Sequence, residues 1–281
     1  MSASPVPART AVGDLWRSRE LLRNLVSKEL KVRYKHSALG FLWSLVTPLL
    51  MTAVFTVVFA TFLRIPLGDG NFATYFLAGY LVWQFFSNSV NASVGAIVSN
   101  GPLIQKVYFP REVIPLSLVL SQGVHLLLAL LATTPLFIAL RGFHPELVPV
   151  IVVGLVLLTM FTAGVSMVFA AANVGFRDLQ ELTQVLFLAW FYATPVIYPL
   201  FLVEGGSAQL FRPLVLANPM TSFVEFFHRS LYGIARAEGV NPPPQVPDLQ
   251  LWLACAGWAV GTLIVGMWLF RRKAATFAKE V

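Results

Sequence analysis

The chain has 281 residues, of which 57% are hydrophobic and 12% charged, with a formal net charge of +7. A soluble domain of this size carries about 25% charged residues, so this composition excludes an ordinary soluble globule and points to lipid as the solvent. The single cysteine, Cys255, excludes an intrachain disulfide framework and a multi-cysteine metal site.

Residues 1–36 hold eight Lys or Arg and no long apolar core, which argues against a cleaved signal peptide. Within them, residues 14–34 read as an amphipathic helix. Leu15, Leu22, Leu25, Val26 and Leu30 recur at helical spacing with cations between them. Such a helix is expected at the inner membrane surface. Its cations Lys28, Lys31 and Arg33, with Lys35, are candidates for contact with an anionic headgroup; equally, they obey the positive-inside rule.

Six apolar runs follow, at 39–63, 72–98, 113–140, 147–176, 182–203 and 249–270, none containing Asp, Glu, Lys or Arg. Each is long enough to cross a bilayer as a helix. Alternating strand patterns of a barrel are absent. The expected fold is therefore an all-α integral membrane protein with six spans. With the N-terminus in the cytoplasm, 15 of the 20 Lys and Arg fall on the inner side, which places both termini there.

The first inner loop contains Pro102, suited to a first helical turn, and Pro110, which ends one. Between them lie Gln105, Lys106 and Tyr108; Phe109, Arg111 and Glu112 flank Pro110. Exposed aromatics beside cations predict a docking surface for a cytoplasmic partner, the alternative being an interfacial anchor. The second inner loop carries Arg177 and Asp178. The long outer segment 204–248 contains Asn218-Pro219, a helix cap followed by a first-turn proline. Phe223, Val224, Phe227 and Leu231 then share one helical face, predicting a short helix that dips back into the outer leaflet. Gly257 and Gly261 form a small-xxx-small pair in the last run.

Chemistry-bearing motifs are sparse. There is no GxxxxGK[ST] phosphate loop and no HExxH; His36, His125, His144 and His228 are scattered. No catalytic residue and no metal site is assigned. Glu225, His228 and Arg229 form the nearest approach to a catalytic cluster, for which a structural role is expected. The spans lack the acids that ion-coupled transporters commonly use, which makes an energy source outside the membrane attractive. The second run carries a polar stripe of Gln84, Ser87, Asn88 and Asn91 opposite Phe76, Tyr80 and Trp83. The fifth carries Phe187, Trp190, Phe191, Thr194 and Tyr198. Aromatic planes can carry the apolar faces of sugar rings while amides bind their edges; the alternative is helix packing and interfacial anchoring.

Arg33-Tyr34-Lys35 followed by Ser37-Ala38-Leu39-Gly40-Phe41-Leu42-Trp43 and Thr47-Pro48 resembles the start of type-2 ABC exporter permeases, in the branch that exports polysaccharides. Phe109-Pro110-Arg111-Glu112-Val113, Asn173-Val174-Gly175-Phe176-Arg177-Asp178, Tyr192-Ala193-Thr194-Pro195 and Asn218-Pro219-Met220 follow in the family's order. The resemblance implies a bacterial cytoplasmic-membrane homodimer bound to two copies of a cytoplasmic ATPase, with residues 1–36 as a cytoplasmic segment and 37–281 as the transmembrane domain. The chain itself would bind no cofactor, ATP and Mg belonging to the partner, and no nucleic acid. Carried over by position, Gln105, Lys106, Tyr108, Phe109, Arg111, Glu112, Arg177 and Asp178 form the coupling interface. Trp43, Tyr80, Trp83, Gln84, Asn88, Asn91, Phe187, Trp190, Phe191 and Tyr198 line the pathway, and Asn218, Phe223 and Phe227 the outer gate. The implied cargo is a lipid-linked polysaccharide of O-antigen, teichoic acid, galactan or capsule type. Competing readings are a permease for small hydrophobic compounds, a membrane enzyme acting on lipid-linked sugars, and a stand-alone channel.

Overall fold

In hydrocarbon a peptide group finds no water, so a chain this apolar must satisfy its backbone internally. The computed structural model describes residues 18–34, 43–68, 70–106 and 109–280, and among these every regular element is helical. The helices are α1 (Arg19–Tyr34), α2 (Trp43–Phe55, continued by a π-helical stretch Thr56–Phe62), α3 (Phe72–Val94), α4 (Ala96–Ser99), α5 (Gly101–Lys106), α6 (Val113–Arg141), α7 (Val148–Gly175), α8 (Leu179–Tyr192), α9 (Arg212–Ala217), α10 (Pro219–Leu231) and α11 (Leu249–Glu280). Four stretches are long and apolar enough to cross a membrane by length and composition: 45–62, 113–141, 145–175 and 249–274.

The two remaining apolar runs take other forms. The second becomes α3, which stops at Val94 rather than continuing to 98; a break at Gly95 separates it from α4. α3 lies in the middle of the molecule and contacts α2, α6, α7, α8 and α10. Much of it is enclosed by protein; Ser89 and Ser93 are fully buried, and Ser93 Oγ donates to the Ser89 carbonyl at 2.8 Å. The fifth run is not one helix over 182–203. α8 ends at Tyr192, and the chain turns through Thr194-Pro195 before a single 3-10 turn at Leu200–Val203. Pro195 offers no N–H to extend the helix. Tyr198 therefore sits in this turn and not on the face of α8.

α7 and α11 share the most extensive contact. Its seam is glycine: a Cβ on Gly164 would collide with the backbone of Thr262, and one on Gly266 with the backbone of Gly164. Close backbone approach through small residues is the usual means of helix association in lipid. The sequence pair Gly257 and Gly261 is not this seam, for among the described residues a Cβ at either meets nothing within 4 Å.

α1 packs along α6. The part of α6 it shares a cavity with is the stretch around Leu120 and Leu127. The expected docking loop is partly consumed by the fold. Ile97, Ile104, Ile114, Met167, Val174, Phe270 and Phe277 form a second apolar cluster at this end of the bundle, with Phe109 packed against it. α11 extends ten residues past 270 to reach it.

Replacing Gly164 or Gly266 with Leu is expected to force α7 and α11 apart at a cost of about 1–3 kcal/mol or more. G257L and G261L are expected to stay within about 0.5 kcal/mol of the parent chain. Thermal unfolding of the purified protein in one detergent checks both pairs.

Candidate functional site

The aromatic side chains of α2, α3, α7, α8 and α10 join into a continuous ladder. Phe59 of the π-helical stretch stacks on Phe72 at 6.0 Å, and Phe55, at the end of the α-helical part of α2, on Phe76 at 4.7 Å. Phe76 stacks on Tyr80 at 5.0 Å. Trp83 meets Phe191 at 5.6 Å and Trp190 at 6.2 Å, while Phe86 meets Trp190 at 5.2 Å and Phe187 at 5.5 Å. Phe86 then leads to Phe161 at 5.5 Å, and Phe161 to Phe223 on α10 at 4.9 Å. Along α3 the ladder runs from Phe72 to Phe86, about 21 Å at 1.5 Å per residue.

Within one chain most of this ladder is core. Trp83, Phe187, Phe191, Phe223 and Phe227 are buried, whereas Tyr80, Trp190 and Tyr198 are half-buried. The polar stripe is the accessible part: Gln84, Ser87 and Asn88 are half-buried and Asn91 is exposed. An amide stripe that opens sideways from a bundle is stable only against water or another polar surface. Phe55, Phe59, Phe86 and Phe161 were not singled out from sequence. The i,i+4 pairs Phe55–Phe59 and Phe72–Phe76 are the signal that could have found them.

At the C-terminal end of α8 one side chain ties three elements. Asn218 Oδ1 accepts from Trp190 Nε1 at 2.8 Å and from the Met220 N–H at 3.0 Å, which caps α10. Its Nδ2 donates to Thr194 Oγ1 at 2.9 Å and to the Ala193 carbonyl at 3.3 Å. Asn218 thus fixes the start of α10 to the end of α8. α10 itself is wedged against α3, α7 and α11 and is buried on nearly every side, beyond the single apolar face its sequence predicts.

The surrounding irregular segments are held by long-range polar contacts. Tyr75 Oη donates to the Tyr198 carbonyl at 3.0 Å. Asn241 Nδ2 donates to the Leu67 carbonyl at 2.6 Å and to Tyr232 Oη at 2.8 Å. Arg141 donates to the carbonyls of Tyr232 and Pro242 at 2.7 and 2.9 Å. Arg229 pairs with Glu225 at 3.0 Å and with Asp248 at 2.7 Å, clamping α10 to the start of α11. Partial burial opposes ionisation of Asp248, but the Leu251 N–H and the Arg229 guanidinium outweigh it and hold the carboxyl below the usual range. Glu225 and Arg229 are thus occupied in a structural clamp, and His228 is buried against Tyr75 with ring centroids 4.0 Å apart. His125, within α6, is also buried. Among the described residues no three His, Cys, Asp or Glu side chains gather as a metal site.

At the opposite end, two predicted coupling residues make contacts within the chain. Glu112 is buried and accepts from Arg271 Nε at 2.7 Å. Arg111 donates to the Ala274 carbonyl. Both bind the C-terminal part of α11 to the loop before α6. Phe109 is half-buried; Gln105, Arg177 and Asp178 are exposed. On α1, Lys28 and Lys31 are exposed. Lys35 and Tyr108 lie outside the described residues, as do the side chains of Arg33, Trp43 and Lys106.

With this geometry established, the chain belongs to the ABC-2 type transporter family, whose pattern matches residues 20–232. It is 35% identical over 280 residues to the O-antigen export system permease protein RfbA of Myxococcus xanthus, covering 96% of this chain and 98% of the relative. A Klebsiella pneumoniae O-antigen export system permease protein RfbA is 33% identical over 213 residues, 73% of this chain and 77% of its own length. The polysialic acid transport protein KpsM of Escherichia coli is 22% identical over 254 residues, 89% of this chain and 92% of its own.

The Asn218 tie gives a double-mutant test. W190F, which keeps a ring and loses the N–H, is expected to cost about 0.5–1.5 kcal/mol. N218A, which also removes the cap, is expected to cost about 2–3 kcal/mol. The double variant should cost little more than N218A alone. Unfolding midpoints of the four proteins measure the coupling.

Proposed function

We propose that this chain is the membrane subunit of an ATP-driven exporter that carries a lipid-linked polysaccharide outward across the bacterial inner membrane. The observation that carries the reading is the near full-length match to a permease named for O-antigen export. The glycan, of O-antigen, teichoic acid, galactan or capsule type, is matched by a side wall in which amides lie beside aromatic rings. A polyhydroxyl chain slides along many weak contacts more readily than it leaves one strong site.

In this proposal the chain crosses the membrane six times, with α3 and α8 as the two spans that protein encloses or shortens. Both termini are cytoplasmic, as the Lys and Arg asymmetry favours. α6 has 29 residues, and at about 43 Å it exceeds a hydrocarbon core of about 30 Å. α10 is a re-entrant outer helix. Two copies pair, and the route runs between them along the face bearing Tyr80, Gln84, Asn88 and Asn91. Trp83, Phe187 and Phe191 back this face from within each copy. Asn218, Phe223 and Phe227 set the position of the outer end of the wall.

Two copies of a separate ATPase subunit, which bind ATP and Mg, dock on the inner end at Gln105 and at the Arg177-Asp178 turn. Glu112 and Arg271 then pass movement of the docked loop to α11. The glycine seam passes it to α7, and the Phe161–Phe223 contact to α10. ATP binding shifts this assembly between conformations by binding one of them better. Each link is a packed contact rather than a flexible tether.

The test is purification of the tagged chain in mild detergent. A stoichiometric ATPase subunit is expected to copurify, and its ATPase activity to rise with the lipid-linked glycan of the source cell. The charge reversals R177E and D178R, on exposed side chains, should lower its recovery at least about tenfold, the loss of one charged contact of about 1.4 kcal/mol or more. Recovery of the chain alone from wild-type cells would overturn the reading.

A further inference from the structure

Helix α11 has 32 residues and is about 48 Å long, whereas a hydrocarbon core is about 30 Å thick. Its stretch apolar enough to cross a membrane ends at Ala274, and residues 271–280 carry Arg271, Arg272, Lys273, Lys279 and Glu280. A helix end this polar is costly to place in lipid and too short to hold its shape alone in water. Packing holds it. Phe277, the one large apolar residue in 271–280, is fully buried and meets the Phe270 ring edge-on at 5.2 Å. Both rings belong to the cluster that includes Ile97 of α4, Ile104 of α5 and Ile114 of α6.

The loop on the other side of this contact is itself too slight to stand alone. α5 has six residues, well below the length at which a helix is stable by itself. It buries Ile104 and exposes Pro102 and Gln105. Residues 109–112 form no regular element, and their two charged side chains both reach α11: Arg111 donates to the Ala274 carbonyl, and Glu112 accepts from Arg271 Nε at 2.7 Å. The Glu112 side chain is 8% exposed, and a carboxylate that deep is stable only while its cation is present. Arg272, the next residue, is exposed and lies over the ring of Trp268 in its own helix, 5.5 Å from the centroid. Residues 271–280 therefore hold the loop by one face, while Pro102 and Gln105 of α5 stay open to a partner.

We propose that residues 271–280 of α11 are a splint for the docking surface, with Arg271 and Phe277 as positioning residues that shape α5 and residues 109–112 without touching the partner. The proposal rests on the reading that an ATPase subunit docks at Gln105. It makes the Glu112 carboxylate an internal strut and not a contact for that subunit.

The experiment has two readouts on the full chain. One is the ATPase subunit recovered per tagged chain after coexpression. The other is hydrogen exchange of residues 101–112 in the chain expressed without its partner. R271Q and F277A should each lower recovery at least about tenfold and speed that exchange at least about tenfold, with residues 148–175 exchanging at wild-type rates. R272Q removes the same charge one position on and should match wild type in both readouts. E112Q/R271Q leaves no buried ion alone and should return recovery to within about threefold of wild type. Wild-type recovery with R271Q overturns the proposal, as does unchanged exchange of 101–112. A double variant as poor as R271Q overturns it too, for the pair would then touch the partner directly. So does an equal loss with R272Q, which would reduce the effect to general charge attraction, or faster exchange of 148–175, which would make the defect global. If the wild-type chain recovers no ATPase subunit, the docking reading itself falls and the docking role with it; the exchange readout tells that failure from failure of the splint.

Discussion

Lipid offers no hydrogen bonds, so a helix that carries amides and hydroxyls through a membrane protein must be surrounded by protein. α3 is such a helix, and the arrangement of its neighbours follows from it. α2, α6, α7, α8 and α10 all contact it. Asn71 caps its start, accepting from the Ala73 N–H at 2.9 Å. Its rings are stacked on rings from α2 and α8, which leaves the amides of Gln84, Asn88 and Asn91 as the part of α3 that another surface can still reach. Burial of one face and access at the other come from the same packing.

The two ends of the bundle are finished differently. The end that carries the segments 63–71 and 193–248 is built from polar side chains that reach across long sequence separations: Tyr75 to the Tyr198 carbonyl, Asn241 to the Leu67 carbonyl, and Arg141 to Tyr232 and Pro242. These contacts satisfy backbone groups of irregular segments that lipid would leave unpaired. The opposite end is an apolar cluster closed by the Glu112–Arg271 pair. A carboxylate that is buried this far is stable because its partner is present; removing the partner leaves the charge uncompensated.

Much of this was legible in the residues. Apolar runs without charge located α2, α6, α7 and α11, and the Asn218-Pro219 dipeptide marked the start of α10. The order of short motifs from Phe109 to Met220 anticipated the family. Pairings set by the tertiary fold were not legible. The partners of Arg111 and Glu112 within the chain, Ala274 and Arg271, lie more than 150 residues away in sequence. Gly257 and Gly261 had the right spacing for a helix seam, but the seam belongs to Gly164 and Gly266, and only the crossing of α7 on α11 distinguishes them. The fifth apolar run read as one helix because hydropathy counts Pro195 and Tyr198 as membrane-compatible. Proline's missing donor shortens α8 regardless. For the wall, individual aromatic side chains gave no direction: the same rings serve packing within one chain and, by proposal, back a route between two.

The central proposal is that this chain moves a lipid-linked glycan outward with energy supplied by another subunit. The most direct measurement is the location of that glycan in source cells depleted of the chain, assayed on intact and on permeabilised cells. The account predicts that surface glycan falls while lipid-linked glycan accumulates inside, and that the wild-type chain restores export only when its ATPase partner can hydrolyse ATP. Unchanged surface glycan after depletion, or export restored with a hydrolysis-deficient partner, would contradict it.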